Sequence, residues 1–429
     1  MAEQDQARMA RSADALSSSG DGIDALSPSG DGPSLAELVA PLSVAEFLAQ
    51  HWNRSFRAWP GRAGRFSALI DWDDINHILS AQRLEPPQLI LVRGGKNVPV
   101  ERFTHVSGSN RRIDAGATTA QLAQGATLVL SFVDEMVKRI GDLADRLGGD
   151  LGARCNVNLY AGWRADHGFD LHWDHHDVFI LQIAGRKHWR VQRPTRDHPA
   201  RGEIVPPPAA DDAPVYDDIL EEGGVLYIPR GWWHVATPVE EPSLHLTLAI
   251  TPPTGQDYLR WLVGKAAAEA VFRADWPVAG GDAATAAYWG ELGAAMQRLH
   301  AAHPPEAFLA EQQASRVARP LFTLPDFAAG TMARLSPDSR LRLAGARALA
   351  RVHDAVSGDE GLDIGGRIFA CSAAVGSVLG RLSSERDTRF AVLTEGLGDA
   401  VRRELEQLLI RLVATGAIFV DPGLDQSKA

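Results

Sequence analysis

Between residues 88 and 255 the chain is written in short apolar runs: QLILVRG, ATLVLSF, NVNLYAG, DVFILQIAG, HWRVQRP, GVLYIPRG and SLHLTLAIT. Most are bounded by Gly or Pro and are rich in Val, Ile, Leu, Tyr and Trp, the signature of an antiparallel sheet system, sandwich or barrel. One helical stretch, FVDEMVKRIGDLADRLGG, interrupts them. On both sides the period changes. SLAELVAPLSVAEFLAQHW has a Ser or Pro start signal and apolar residues at three- and four-residue spacing, and DYLRWLVGKAAAEAVFRADW and AATAAYWGELGAAMQRLHAA read the same way. The chain closes with RRELEQLLIRLVATGAIFVDPG, an amphipathic helix, a Gly turn and a short strand, which suggests a C-terminal winged-helix-like domain.

A chain of 429 residues exceeds one ordinary core, so several domains are expected. Residues 1–35 hold a tandem repeat, DALSSSGDG at 14–22 and DALSPSGDG at 24–32, too poor in apolar surface to offset the entropy of ordering; a disordered tail is predicted. The remaining divisions are a sheet-rich domain with N-terminal helices over 36–255, a helical segment over 256–315 and the winged-helix-like domain over 316–429. The first residues lack a signal peptide's apolar run, and no stretch approaches the ~18 apolar residues that cross a bilayer, which predicts a cytoplasmic protein without membrane association. Cys155 and Cys371 belong to no CxxC pair, so neither a disulfide framework nor a zinc site is suggested. The net charge of −11 argues against nucleic acid and suits a basic protein or peptide partner. ELEQLLIRLV is no basic recognition helix, so DNA binding is not expected of the last domain.

The densest chemistry lies in GFDLHWDHHDVFILQIAGRKHW, residues 168–189. His172 and Asp174 are two apart, so in a strand both face one way. Joined by a second His from a distant strand, they would make the 2-His-1-carboxylate facial triad of an octahedral iron, with three positions open. GGVLYIPRGWWHVATP supplies that candidate: its spacing G-x5-P-x-G-x2-H ends on His234, 60 residues after Asp174. The competing readings are a structural His–carboxylate hydrogen bond and a turn His capping a barrel rim. His175, His176 and His188 compete for the metal but lack the HxD context; with Asp177 they are expected at the rim or on the outer face. Three open positions suit a bidentate 2-oxo acid plus dioxygen, and a distal carboxylate on that acid needs a buried cation. Lys187, 13 residues after Asp174, is the candidate, against the plainer reading of an exposed strand-end lysine.

With these motifs in place, the G-x5-P-x-G-x2-H half resembles the second motif of the cupin superfamily and the HxD half the JmjC branch. From about 145 to 252 the chain resembles JmjC oxygenases, and more narrowly the ribosomal oxygenase group: an Asn-x-Tyr strand, a glycine loop, HxD, FILQ-x-x-G-x-K-x-W, YIPRGWWH and SLHLTL. The resemblance implies a double-stranded β-helix core (cupin/JmjC) followed by a helical dimerisation segment and a winged-helix-like domain, with LFTLPDF at 321–327 among the few motifs of the second half. It implies Fe(II) held by His172, Asp174 and His234, and 2-oxoglutarate as co-substrate with its distal carboxylate on Lys187. Asn158, Tyr160 and Thr247 would line the co-substrate pocket. Trp189 is expected to pack in the barrel, and Trp232 and Trp233 to flank its mouth. Two features depart from the family: Gly224 stands where an Asp is common, and the loop AGWRADHGFDL replaces a Pro-rich one.

The reaction so implied turns 2-oxoglutarate, dioxygen and a substrate C–H into succinate, carbon dioxide and an alcohol. The implied substrate is an Arg or His side chain of a ribosomal protein, acted on by a homodimer. Alternatives are the same chemistry on a peptide natural-product precursor or small molecule, lysine demethylation, or a non-catalytic metal-binding cupin serving as an interaction protein.

Overall fold

The computed structural model describes residues 33–108, 110–164, 168–314, 335–343, 350–353, 360–363, 368–385 and 387–421. The tail expected over 1–35 lies outside these residues as far as 32, and LFTLPDF lies outside them entirely. Regular structure begins within the expected tail, because Ser34 caps the helix Leu35–Val39. The chain divides into two compact units, Met1–Thr251 and Pro252–Ala429.

The stretch with helical period after residue 34 forms two helices, Leu35–Val39 and Val44–Gln50. Pro41 lacks the amide hydrogen that a continuous helix needs. Each piece starts on a reciprocal capping box, Ser34 with Glu37 and Ser43 with Glu46. The helical stretch after the second run is likewise Val133–Met136 and Lys138–Asp150, the second burying Ile140, Leu143, Ala144 and Leu147 on one face.

The strands of the first unit are β1 (Arg57–Trp59), β2 (Leu89–Arg93), β3 (Lys96–Asn97), β4 (Thr104–Ser107), β5 (Asn110–Ile113), β6 (Thr127–Leu130), β7 (Arg154–Gly162), β8 (His172–Trp173), β9 (Asp177–Ala184), β10 (Lys187–Gln192), β11 (Tyr216–Leu220), β12 (Val225–Ile228), β13 (Trp233–Pro238) and β14 (Ser243–Thr251). Eight form a sheet in the order β1-β12-β9-β14-β7-β6-β2-β3, and four form a second in the order β11-β10-β13-β8. The large sheet is covered on both faces, which is why β9 and β14 read as continuous apolar runs. Phe179, Leu181 and Ile183 of β9 join Leu38, Phe47 and Leu143 in a core under the helices. Val178 and Ile180, pointing the other way, join Trp189, Val191 and Trp232 in a core with the small sheet.

The second unit holds the helices Gly255–Ala266, Gly281–Ala302 and Pro305–Ala314, in which Leu262, Ala266 and Leu299 form a small core with Tyr258 and Trp261. Further on, Asp399–Ala414 is followed by the strand Ile418–Asp421, as the closing sequence predicts, and that strand pairs with Arg340–Leu343.

The turn between β9 and β10 depends on Gly185. Its φ is +62°, and a Cβ there would lie 2.1 Å from the Pro242 carbonyl oxygen. Gly152 also has positive φ, +59°, but nothing lies within 4 Å of its missing Cβ. Gly185→Ala is therefore expected to destabilise by more than ~2 kcal/mol, through strain plus backbone displacement, and Gly152→Ala by ~1 kcal/mol through conformation alone. Thermal unfolding followed by circular dichroism separates the two; equal losses would contradict the packing argument.

Candidate metal centre

His172 lies in β8, Asp174 immediately follows it, and His234 is the second residue of β13, opposite His172 in the register. The turn Pro229-Arg230-Gly231 brings β13 to this place. Gly231 takes φ +84° against Pro199, and its N–H donates to the Asp174 carbonyl at 2.9 Å. One ligand atom from each of His172, Asp174 and His234 lies within 4.8 Å of the others, the only such metal-capable group among the described residues. Asp174 Oδ2 is 3.5 Å from His234 Nε2.

Hydrogen bonds fix the tautomers. His172 Nδ1 lies 2.8 Å from the Asp170 carbonyl and His234 Nδ1 3.0 Å from the Trp232 carbonyl. A carbonyl only accepts, so each Nδ1 carries a proton and leaves Nε2 to face the centre, as a donor when the ring is protonated and as a lone pair when it is neutral. Burial, then the neighbouring His234, holds the His172 pKa below its ordinary value, favouring the ligand form. Burial alone would raise the Asp174 carboxyl. The hydrogen bond from His234 and the nearby histidines more than offset it, so Asp174 stays ionised well below the usual carboxylate range. Two neutral imidazoles and a carboxylate suit Fe(II) with open positions.

A cavity of about 240 Å³ adjoins the three groups and is lined from both sheets. Asn158 and Tyr160 of β7 and His245 and Thr247 of β14 face it from the large sheet, in register as Asn158 with Thr247 and Tyr160 with His245. Lys187 and Trp189 of β10 face it from the small one. Lys187 is 2% exposed, and its Nζ donates to His245 Nδ1 at 2.8 Å and to the Tyr160 carbonyl at 3.4 Å. Among the described residues no carboxylate pairs with it. Burial pushes its pKa down to about 7. An uncompensated buried ammonium in a small cavity calls for an anionic ligand, which would supply the missing countercharge.

His245 escaped the sequence reading. It is buried, stacks on Tyr160 with ring centroids 4.9 Å apart, and is held neutral by burial first and by Lys187 second. The signal was present: it alternates with Thr247 along β14, so whatever places one in the cavity places the other. The Asn158 side-chain carbonyl accepts from the Phe132 N–H at 3.1 Å, and its amide bonds to the Tyr160 hydroxyl, whose pKa burial raises to about 12.

Several flanking residues lie elsewhere than expected. Asp177 is not at a rim or outer face but 1% exposed, with the Tyr227 hydroxyl 2.5 Å from its Oδ1. His176 lines the cavity, with half-buried His175 beside it. His188 does sit on the outer face, 2.6 Å from Asp217. Trp232 and Trp233 do not flank a mouth: Trp232 packs on Phe56 in the inter-sheet core, and Trp233 Nε1 donates to Thr195 Oγ1 at 3.1 Å. Thr195 and Pro199 close over this strand entry from more than thirty residues away, a contact no local sequence pattern shows.

Residues 131–258 match the JmjC domain family, a stretch that contains every residue just placed at the metal centre and cavity. Among curated proteins, the bifunctional lysine-specific demethylase and histidyl-hydroxylase NO66 of Drosophila persimilis is 30% identical over 220 residues, 50% of this chain and 31% of that protein. Ribosomal oxygenase 1 of Gallus gallus is 27% identical over 221 residues, 49% of this chain and 35% of that protein. The match thus spans about a third of these relatives' length. Among solved structures, the Escherichia coli ribosomal oxygenase YcfD in complex with cobalt and 2-oxoglutarate superposes with a TM-score of 0.59 at 18% identity, covering 89% of this chain and 99% of that one. Residues 131–258 are thus similar to the JmjC domain, and the chain shares the fold of that solved structure.

The Lys187 shift has a testable consequence. With a pKa of about 7 in the fold against 10.5 ordinarily, the folded protein binds fewer protons than the unfolded chain between those values, so stability of the ligand-free protein rises with pH across that window and the penalty is fully present below 7. Lys187→Met is expected to raise the Tm at pH 6.5, with the gain shrinking between pH 7 and 10. A pH-independent difference in scanning calorimetry would contradict this.

Proposed function

We propose that this protein is an Fe(II)- and 2-oxoglutarate-dependent protein hydroxylase. The observation that carries the reading is the pairing of one His/Asp/His ligand set with one unpaired buried ammonium across a single small cavity. His172, Asp174 and His234 would hold the iron. Bound there, iron with 2-oxoglutarate supplies the activation of dioxygen that hydroxylates a C–H bond. Lys187 takes the distal carboxylate of the co-substrate, Asn158, Tyr160 and Thr247 shape the wall beside it, and the apolar layers exclude water.

The substrate we favour is an Arg or His side chain of a ribosomal protein. The relatives' names support it, one a histidyl-hydroxylase and the others ribosomal oxygenases, and the net charge of −11 suits a basic partner. Lysine demethylation, also in one relative's name, is the second reading. We assign residues 36–255 to the oxygenase domain and 316–429 to a winged-helix-like domain without DNA binding, in a cytoplasmic protein; no helix of the described residues is long and apolar enough to cross a membrane. Residues 256–315 would form a homodimer contact, since Leu259 and Val263 on one helix and Trp289 and Met296 on another are exposed.

Purified protein with Fe(II), 2-oxoglutarate and oxygen is expected to form succinate. His172→Ala and Asp174→Ala should abolish it, and Lys187→Ala should raise the KM for 2-oxoglutarate by about 10- to 100-fold, the worth of a charged hydrogen bond. With ribosomal proteins from a strain lacking the enzyme, mass spectrometry should find one added oxygen on an Arg or His. No succinate under any of these conditions, together with no 2-oxoglutarate binding, would favour a non-catalytic cupin. Light scattering should find a dimer that Leu259→Asp with Val263→Asp converts to monomer; an unchanged mass rejects the contact.

A further inference from the structure

We propose that Asp177 is a positioning residue whose buried carboxylate locks the two chain segments bearing the metal ligands to each other; this rests on the metal centre proposed above. Asp177 opens β9, three residues after Asp174, and is neither one of the three ligands nor one of the residues that line the cavity. Its carboxylate accepts from the Tyr227 hydroxyl at 2.5 Å. With the Asn53 amide oriented to satisfy its neighbours, its NH2 donates to Asp177 at 3.0 and 3.3 Å while its carbonyl accepts from Trp52 Nε1 at 3.1 Å. The Asn53 N–H in turn donates to the Tyr227 hydroxyl at 2.9 Å.

These bonds converge from two sides. Tyr227 stands in β12, two residues before the Pro229-Arg230-Gly231 turn that delivers His234, and the Gly231 N–H of that turn donates to the Asp174 carbonyl. The carboxylate and that bond together close a ring: from Asp174 along the chain to Asp177, across to the Tyr227 hydroxyl, along β12 into the turn, and back through Gly231 to Asp174. Asn53 anchors the ring to the segment after the helix Val44–Gln50. A buried carboxylate adds little net stability even when fully hydrogen-bonded, whereas several directed donors fix its position closely. An apolar residue would serve packing alone. What this arrangement does in addition is set the separation of Asp174 from His234.

Asn at this position keeps the shape but has one acceptor oxygen, and its NH2 would face the Asn53 NH2 or the Tyr227 hydroxyl hydrogen. The test uses the full chain with Co(II) as probe. Asp177→Asn is expected to weaken Co(II) binding by about tenfold, the lower end for partners that orient ligands, and to change the visible Co(II) absorption spectrum at temperatures well below its Tm. Phe47→Leu is the control: Phe47 packs on Tyr227 with ring centroids 5.0 Å apart, so it lowers Tm from the same region without touching the ring of hydrogen bonds. It should keep wild-type affinity and spectrum. Tyr227→Phe removes one donor and should shift affinity in the same direction by less, which keeps the test open if Asp177→Asn does not fold.

Wild-type affinity and spectrum in Asp177→Asn, or in Tyr227→Phe where Asp177→Asn is unfolded, overturn the proposal, as does an equal loss in Phe47→Leu. Failure of the wild type itself to bind Co(II) overturns the metal centre and this inference with it, and is recognised before any variant is measured.

Discussion

The central strands of the eight-stranded sheet are buried on both faces, and the rest of the first unit follows from that constraint. One face needs an apolar cover, which the N-terminal helices and Lys138–Asp150 supply through Phe47, Leu38 and Leu143. The other face needs a second sheet, and β10 and β13 bring it with Trp189, Val191 and Trp232 nearby. Where that inner face carries Asn158, Tyr160, His245 and Thr247 instead of aliphatic residues, the sheets cannot close on apolar contact. Polar groups there must satisfy one another or a ligand. Asn158 does the first, through Phe132 and Tyr160; Lys187, bonded only to neutral acceptors among the described residues, calls for the second.

Much of this was legible because the motifs carry their own geometry. HxD sets two candidate ligands two residues apart, and the Pro-x-Gly turn returns the chain at His234, so the three candidates were legible in the spacing while their convergence was not. G-x-K was legible for a related reason: a Cβ at residue 185 would collide with the Pro242 carbonyl, so glycine marks the turn, and Lys187 follows at fixed offset. The helix breaks at Pro41 and Val137 were missed because the apolar period runs through both. His245 was missed because a lone His inside an apolar run looks like core, and only the register opposite Tyr160 shows what it faces. Asp177 was misplaced for the opposite reason. A charge at a strand start reads as surface, and its partners Asn53 and Tyr227 are 124 and 50 residues away, too far for any local pattern to reveal.

Two electrostatic environments stand side by side in the cavity. Asp174 is kept ionised by the histidines around it, which prepares the site for a cation. Lys187 has no counterion among the described residues, which prepares the other end for an anion. A molecule that bridges a metal and carries a carboxylate at its far end satisfies both at once, and each half of the site would bind more weakly without it. That mutual dependence is the core of the functional account.

Anaerobic titration of the Fe(II)-loaded protein with 2-oxoglutarate, followed by visible charge-transfer absorption, tests it most directly. The account predicts a band that saturates at one equivalent, vanishes in Asp174→Ala, and reappears in Lys187→Ala only at much higher co-substrate concentration. Saturation unchanged by loss of Lys187, or no band in the wild type, would contradict it.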